Sequence, residues 1–132
     1  MIRTALLGVL LVATVAPAAV LDMTAVGQGT LATAQAATGA STNEASFGVS
    51  GRRGAATFQT VNGAGTATVE IQQTCVQSGG TSTSWVSLAN TSTTLAVGGG
   101  LVTITSPGCS YRANVTACTG CSVTVTATSI GK

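Results

Sequence analysis

From Ala45 to the C-terminus, apolar and polar residues alternate with a period of two, and Gly, Asn, Ser or Pro interrupts the alternation every eight to twelve residues. This pattern is typical of an all-β sandwich or barrel. It predicts strands at residues 45–50, 55–62, 65–76, 83–89, 93–97, 101–105, 110–117 and 122–129. No segment of this region has the period of an amphipathic helix. We therefore expect an all-β fold, an antiparallel β-sandwich of about eight short strands.

Two pairs of successive strands are predicted to form hairpins. Gly63-Ala64 has the composition of a two-residue type II′ loop between the second and third strands, because that turn requires glycine first. The last two strands, which run from Tyr111 to Ala127, keep a common apolar face only if their connection has an odd length, since a one-residue slip turns every side chain over. Cys118 and Cys121 then lie in or beside the turn.

Residues 1–44 have a different composition and are predicted to be an N-terminal arm, followed by a sandwich domain at 45–132. The apolar run Ala5 to Leu21 has three interpretations. It resembles a secretory signal with small-residue cleavage sites at Ala18 or Ala36. It is also a marginal membrane span, because about 20 apolar residues are needed and this run has 17 with Pro17 inside it.

The interpretation we favour is an arm that docks in a groove on a partner subunit or adds a strand to its sheet, because the run contains good β-formers. Membrane contact is then not expected. The predicted contact residues are Val9, Leu10, Leu11, Val15 and Val20 in the arm, and Arg52 and Arg53 near a sandwich edge. The two arginines also fit an ordinary solvated loop.

Charge narrows the function classes. The chain has no histidine, three acidic and five basic residues, and 6% charged residues in total. General acid–base and nucleophilic catalysis require titratable groups held close together, so an enzyme is not expected. A net charge of +2 without basic, aromatic-interleaved patches gives no indication of nucleic-acid binding. With so few charges, electrostatic repulsion between copies of the chain is weak, which favours an assembly. No cofactor is expected.

Four cysteines suggest structural disulfides in a core poor in large side chains. The pairing we prefer is Cys75–Cys109 with Cys118–Cys121. A redox dithiol, a four-thiolate zinc site and four reduced cysteines are the alternatives.

Two further features have a binding and a structural interpretation. Trp85 fits a sugar-stacking platform or, more readily in a chain with few aromatics, a central packing residue. Gly98-Gly99-Gly100 has no helix behind it to form a phosphate site and is predicted to be a flexible turn.

Several segments between residues 37 and 129 resemble the small β-sandwich decoration proteins of tailed bacteriophage particles. They are Ala37-Thr-Gly-Ala-Ser, Phe47-Gly-Val, Ala56-Thr-Phe-Gln-Thr, Gly63-Ala-Gly-Thr-Ala-Thr-Val-Glu-Ile-Gln, Trp85-Val-Ser-Leu, Tyr111-Arg-Ala-Asn-Val-Thr-Ala and Ser122-Val-Thr-Val-Thr-Ala. The resemblance implies a jelly-roll-like cement subunit on the capsid exterior, often trimeric, which binds the major capsid protein and clamps neighbouring capsid subunits. Residues 1–36 and the two possible disulfides depart from that pattern.

The sequence is therefore compatible with three functions. The first is the capsid cement subunit of a virion. The second is a secreted or cell-surface fibre subunit resembling a pilin, with the apolar run as a signal, an anchor or a donated strand. The third is a carbohydrate-binding adhesin that uses Trp85 and Tyr111 as exposed platforms.

Overall fold

The computed structural model describes residues 19–47, 54–75, 84–105 and 108–130. Within these ranges the chain forms strands and one single-turn helix. In chain order they are β1 (Ala19–Asp22), α1 (Met23–Val26), β2 (Gln28–Gln35), β3 (Gly39–Ala40), β4 (Asn43–Ser46), β5 (Ala55–Asn62), β6 (Thr66–Thr74), β7 (Val86–Ser87), β8 (Thr93–Leu95), β9 (Gly98–Thr105), β10 (Ser110–Thr119) and β11 (Val123–Ile130).

The strands form two sheets that pack as a sandwich. Sheet I has the order β1-β4-β10-β6-β7, with β3 also on β10 and β8 also on β6, and sheet II has the order β2-β11-β5-β9. Among the strand pairs of the described residues, β1 with β4 is parallel and the others are antiparallel. The all-β sandwich predicted from the sequence is confirmed.

The connections follow a jelly-roll pattern. If β3 and β4 are counted as one strand position, and β7 and β8 as another, the chain from β2 onward passes through eight positions. Sheet II then contains the first, eighth, third and sixth, and sheet I the second, seventh, fourth and fifth. This is the arrangement of a double-sheet jelly roll, in which nearly every connection crosses between sheets.

Both predicted hairpins are wrong for this reason. β5 pairs with β9 and β11 in sheet II, whereas the next strand, β6, belongs to sheet I. β10 and β11 are separated in the same way. Two successive strands that each have one apolar face can pair side by side in one sheet, or they can lie in different sheets and face each other across the core. The alternation in the sequence is the same in both cases, so the pattern located the strands and not their partners.

The sandwich also includes residues that the sequence assigned to the arm. β2 pairs with β11 at one side of sheet II, and Leu31 and Ala32 on it are buried in the core. The short helix α1 buries Met23, and Asp22 caps it by accepting a hydrogen bond from the amide of Thr24 at 2.9 Å. Residues 19–44 are therefore part of the folded domain, and the predicted boundary at residue 44 is not a boundary of the sheets.

Three of the four aromatic side chains form the centre of the core. Phe47, Phe58 and Tyr111 pack with ring centroids 5.6 to 6.3 Å apart, in tilted or edge-on arrangements. Trp85 is not among them: it is half-buried on the outside of sheet I. The expectation that Trp85 is the central packing residue is wrong, because the buried position on that side of the core is filled by Tyr111 from β10.

Gly98-Gly99-Gly100 begins β9 and pairs with Asn62, Val61 and Thr60 of β5, so the predicted flexible turn is wrong. Nearby, one end of the sandwich is closed by hydrogen bonds from a fully buried amide. Asn62 Nδ2 lies 3.2 Å from Gly65 O, 3.3 Å from Leu95 O and 3.0 Å from Ala96 O, and Asn62 Oδ1 accepts from the amide of Ser122 at 3.1 Å. One side chain thereby joins three connections between strands.

Candidate functional site

Within the described residues, charged side chains occur in one sheet and not in the other. The charged residues of the described part of the chain are Asp22 in β1, Glu44 in β4, Glu70 in β6 and Arg112 in β10, all in sheet I. The four strands of sheet II contain no charged residue. Because inward-facing positions of both sheets form the apolar core, this difference appears on the two outer faces, which are therefore the candidate functional surfaces.

The outer face of sheet I carries a hydrogen-bonded polar network. Arg112 Nε donates to Gln72 Oε1 at 2.8 Å, directly across from it in the β10–β6 ladder. Gln72 Nε2 and Asn114 Nδ2 each donate to Glu70 Oε1 at 2.9 Å. Two of these contacts, Arg112–Gln72 and Asn114–Glu70, join β10 to β6, and the third joins two residues of β6. Cross-strand pairs of this kind stabilise a sheet.

Trp85 is attached to this network through its ring. The Arg112 guanidinium lies 4.4 Å from the ring centroid, a cation–π contact that holds the segment before β7 against β10. Burial lowers the pKa of Arg112 below its ordinary value, and the nearby Glu44 carboxylate offsets part of this decrease. Burial also raises the pKa of Glu70, but hydrogen bonds from Asn114, Ser87 and Gln72 together lower it below its ordinary value.

Tyr111 does not belong to either outer face. Its ring is 3% exposed in the core, and burial raises the pKa of its hydroxyl, partly offset by a hydrogen bond with the backbone of Gly108. A buried phenol cannot stack on a sugar. The adhesin hypothesis requires exposed rings at Trp85 and Tyr111. The prediction that Tyr111 is exposed is therefore wrong, and the ring of Trp85 already stacks with Arg112.

The outer face of sheet II consists of threonines with a few glutamines and aliphatic side chains. The ladder places Thr103, Thr57 and Thr128 in one row across β9, β5 and β11, and Leu101, Gln59 and Thr126 in the next. Thr30 of β2 continues the second row. Alternate positions on the same strands, such as Phe58 and Val125, point into the core. The outer face is thus regular and uncharged.

One edge of this face is apolar. Leu101 is 67% exposed on β9, Val61 is 42% exposed on β5 and Val97 is 71% exposed just before β9. Beside them, a groove of about 450 Å³ opens between Leu101–Thr105 of β9 and the turn Leu88–Thr91. The exposed aliphatic side chains, the groove and the edge of β9 form a continuous surface, which we call the β9 edge.

Of the contact residues predicted from the sequence, the structure describes Val20. It is 61% exposed on β1, at the edge of sheet I opposite Glu44 in the β4 ladder, and is therefore available for contact. The other predicted contact residues lie outside the described residues: Val9, Leu10, Leu11, Val15, Arg52 and Arg53. The structure does not bring Val20 together with the β9 edge, because β1 and β9 are not neighbours in either sheet.

Both predicted disulfides are confirmed. Cys75 and Cys109 extend the β6–β10 ladder by one position and have Cα atoms 4.7 Å apart. Cys118 and Cys121 close the connection from β10 to β11, with Cα atoms 5.3 Å apart. Both separations are normal for a disulfide. Within the described ranges, no group of three or more His, Cys, Asp or Glu side chains is arranged as metal ligands.

The outer face of sheet II was not predicted from the sequence. Its signal was present in the alternating threonines of Val123-Thr-Val-Thr-Ala-Thr and in the absence of charge from four strands. Those strands are scattered along the chain, so only their pairing reveals one continuous uncharged surface.

Comparison with protein-family models, with curated proteins and with solved structures found no match to this chain. No helix in the described residues has the length and hydropathy that a membrane crossing requires.

Proposed function

We propose that this protein is a non-enzymatic capsid decoration subunit, which binds the outer surface of a virion through the outer face of sheet II and stabilises the particle by bridging capsid subunits. The observation that carries this proposal is the charge difference between the two sheets. Burying a charged side chain without a partner is costly, whereas threonine and aliphatic side chains are buried at much lower cost. Charge depletion is also what distinguishes the centre of a protein interface.

The other sheet fits the solvent side of the same subunit. Sheet I carries Glu44, Glu70 and Arg112 on its outer face, where each side chain is half-buried and keeps part of its surface in contact with solvent. A subunit with one uncharged and one charged face adheres in one orientation. The jelly roll supports the proposal by analogy, because viral capsid domains use this fold, although the fold alone does not determine a function.

The size of the sheet II face favours an oligomer on the particle. Four strands about 4.8 Å apart, each about eight residues long at roughly 3.3 Å per residue, give a face on the order of 500 Å². A stable protein interface buries about 800 Å² on each partner. A single subunit is therefore a weak ligand, and linked copies that bind several capsid subunits gain affinity from multivalency. We infer a homo-oligomer, with a trimer favoured and the major capsid protein as the partner.

The sheet II contact can be tested by adding one charge to each face. We expect Gln59→Lys, at an exposed position in the centre of sheet II, to weaken binding to purified undecorated particles by tenfold or more in co-sedimentation, which corresponds to about 1.4 kcal/mol. Thr116→Lys, at an exposed position on β10 of sheet I, adds the same charge and should bind as the unmodified chain does. Equal effects of the two substitutions would contradict this contact.

A secreted or cell-surface fibre subunit is the second candidate. It is favoured by β1, since the last residues of the apolar run already add a parallel strand to the edge of sheet I. The fold limits where the N-terminal signal of such a fibre subunit can be cleaved. Trimming after Ala36 would remove α1 and β2, including the buried Met23 and Leu31, whereas trimming after Ala18 leaves the described sandwich whole. A mature chain that starts at Ala19 would support the fibre subunit over the decoration subunit.

A further inference from the structure

The edge of β9 lacks the features that protect a strand edge from pairing. Within the described residues, β9 pairs with β5 on one side only. Its eight residues, Gly98 to Thr105, include no charge and no proline. Charged residues, proline and bulges are the usual means of preventing an edge strand from accepting another strand. Among the residues that the structure describes, no strand pairs with the backbone groups on the other side of β9.

The walls of the groove beside β9 combine polar groups with aliphatic side chains. Leu88 on the facing turn and Val102 and Ile104 on β9 are partly buried and pack against the core. An extended segment laid in this groove could form main-chain hydrogen bonds with β9 and cover these side chains. Strand addition to an exposed sheet edge works in this way, with backbone pairing giving affinity and side-chain pockets giving specificity.

We propose that the β9 groove binds the N-terminal segment of a second copy of this chain, residues 5–15, as an added strand. This segment is uncharged and rich in leucine and valine, and it ends just before Pro17. The segment has eleven residues, which is long enough to pair along all eight residues of β9. Pro17 has no amide hydrogen to donate to a ladder, so the added strand would end there and β1 would begin separately at Ala19.

The positions of β1 and β9 explain why the segment comes from another copy. β1 lies beyond β4 at one side of the sandwich, where β4 also contacts β2 of the other sheet. β9 lies at the opposite side, where it contacts β8. A segment that leaves from one side and a groove on the other make a head-to-tail contact. Such contacts form closed rings, including trimers, when the rotation between copies closes.

This contact joins copies of the chain to each other and goes beyond the proposed binding to a capsid, since it would exist with or without a particle. Its test uses the full chain and measures molar mass and dissociation constant by sedimentation. We expect Leu11→Glu in the N-terminal segment and Leu101→Glu in the groove each to raise the dissociation constant between copies at least tenfold. Val86→Glu, at a 64% exposed position of β7 in sheet I, is the matched control and should leave the oligomer unchanged.

Mixing the two variants makes the test specific. The Leu11→Glu chain has an intact groove and the Leu101→Glu chain an intact segment, so their mixture should form dimers and nothing larger. Direct β9-to-β9 pairing would instead be lost in Leu101→Glu and retained in Leu11→Glu. That result, or an unchanged oligomer for a mature chain lacking residues 1–18, would overturn the proposal. Neither result bears on the Gln59→Lys particle-binding experiment, so the two proposals fail separately.

Discussion

The side-chain amide of Asn62 is fully buried where the β5–β6, β8–β9 and β10–β11 connections meet. Asn62→Asp keeps the shape of the side chain but replaces its donor group with an acceptor, which leaves the carbonyls of Gly65, Leu95 and Ala96 facing an oxygen. Unsatisfied buried polar groups cost about 1–3 kcal/mol each, so we expect the free energy of unfolding to fall by about 3 kcal/mol or more.

Urea denaturation of the full chain measures this loss. Asn43→Asp is the control, because Asn43 makes a single exposed hydrogen bond to the carbonyl of Thr30 at 2.9 Å. Its loss should be below about 1 kcal/mol. Equal losses for the two substitutions would show that Asn62 is not the residue that holds these connections together.

Glu70 gives the molecule a predictable response to acid. Because its pKa in the folded state lies below the ordinary value of 4.5, the charged carboxylate stabilises the fold above the unfolded-state pKa, and this contribution is lost as the pH falls through the folded-state pKa. We expect Glu70→Gln to reduce the loss of stability on going from pH 6 to acid, measured by urea denaturation at several pH values. The unmodified chain is the reference, and an identical pH profile for Glu70→Gln would contradict the role of Glu70.

At the scale of elements, the alternation in the sequence predicted strands well where one face is buried. β5 spans the predicted range, β6 is one residue shorter at its start and two at its end, and β10 starts as predicted and ends two residues later. Alternation could not predict the register shift in β10 between Val115 and Ala117, after which Ala117 is exposed. It also could not predict β2, because the glycine, alanine and threonine of that strand give too weak a contrast between its two faces.

The two disulfides are expected to differ in their contribution to stability. Cys75–Cys109 has a sequence separation of 34 and Cys118–Cys121 one of 3. Loop-closure entropy then gives about 4 kcal/mol for the first and about 2 kcal/mol for the second. We expect the Cys75→Ala/Cys109→Ala pair of substitutions to lower the free energy of unfolding about twice as much as Cys118→Ala/Cys121→Ala. The reverse order in urea denaturation would contradict the loop-length argument.

For the whole molecule, the division between a charged and an uncharged sheet could not be predicted from the sequence. The threonines of β5, β9 and β11 are visible as a pattern, but they form one face only because the jelly-roll connections place strands distant in sequence beside each other. Trp85 shows the same difficulty. Its contact with Arg112 depends on β6 lying between β7 and β10, which no local pattern indicates.

We propose that this chain is a virion decoration subunit. The most direct test is density-gradient fractionation of its natural source, with mass spectrometry used to locate the chain and its N-terminus. The proposal predicts that the chain migrates with DNA-filled particles and retains Ile2 and the apolar run that follows it. Recovery only from DNA-free filaments or from the medium, with a chain that starts at Ala19, would contradict it and support the fibre subunit.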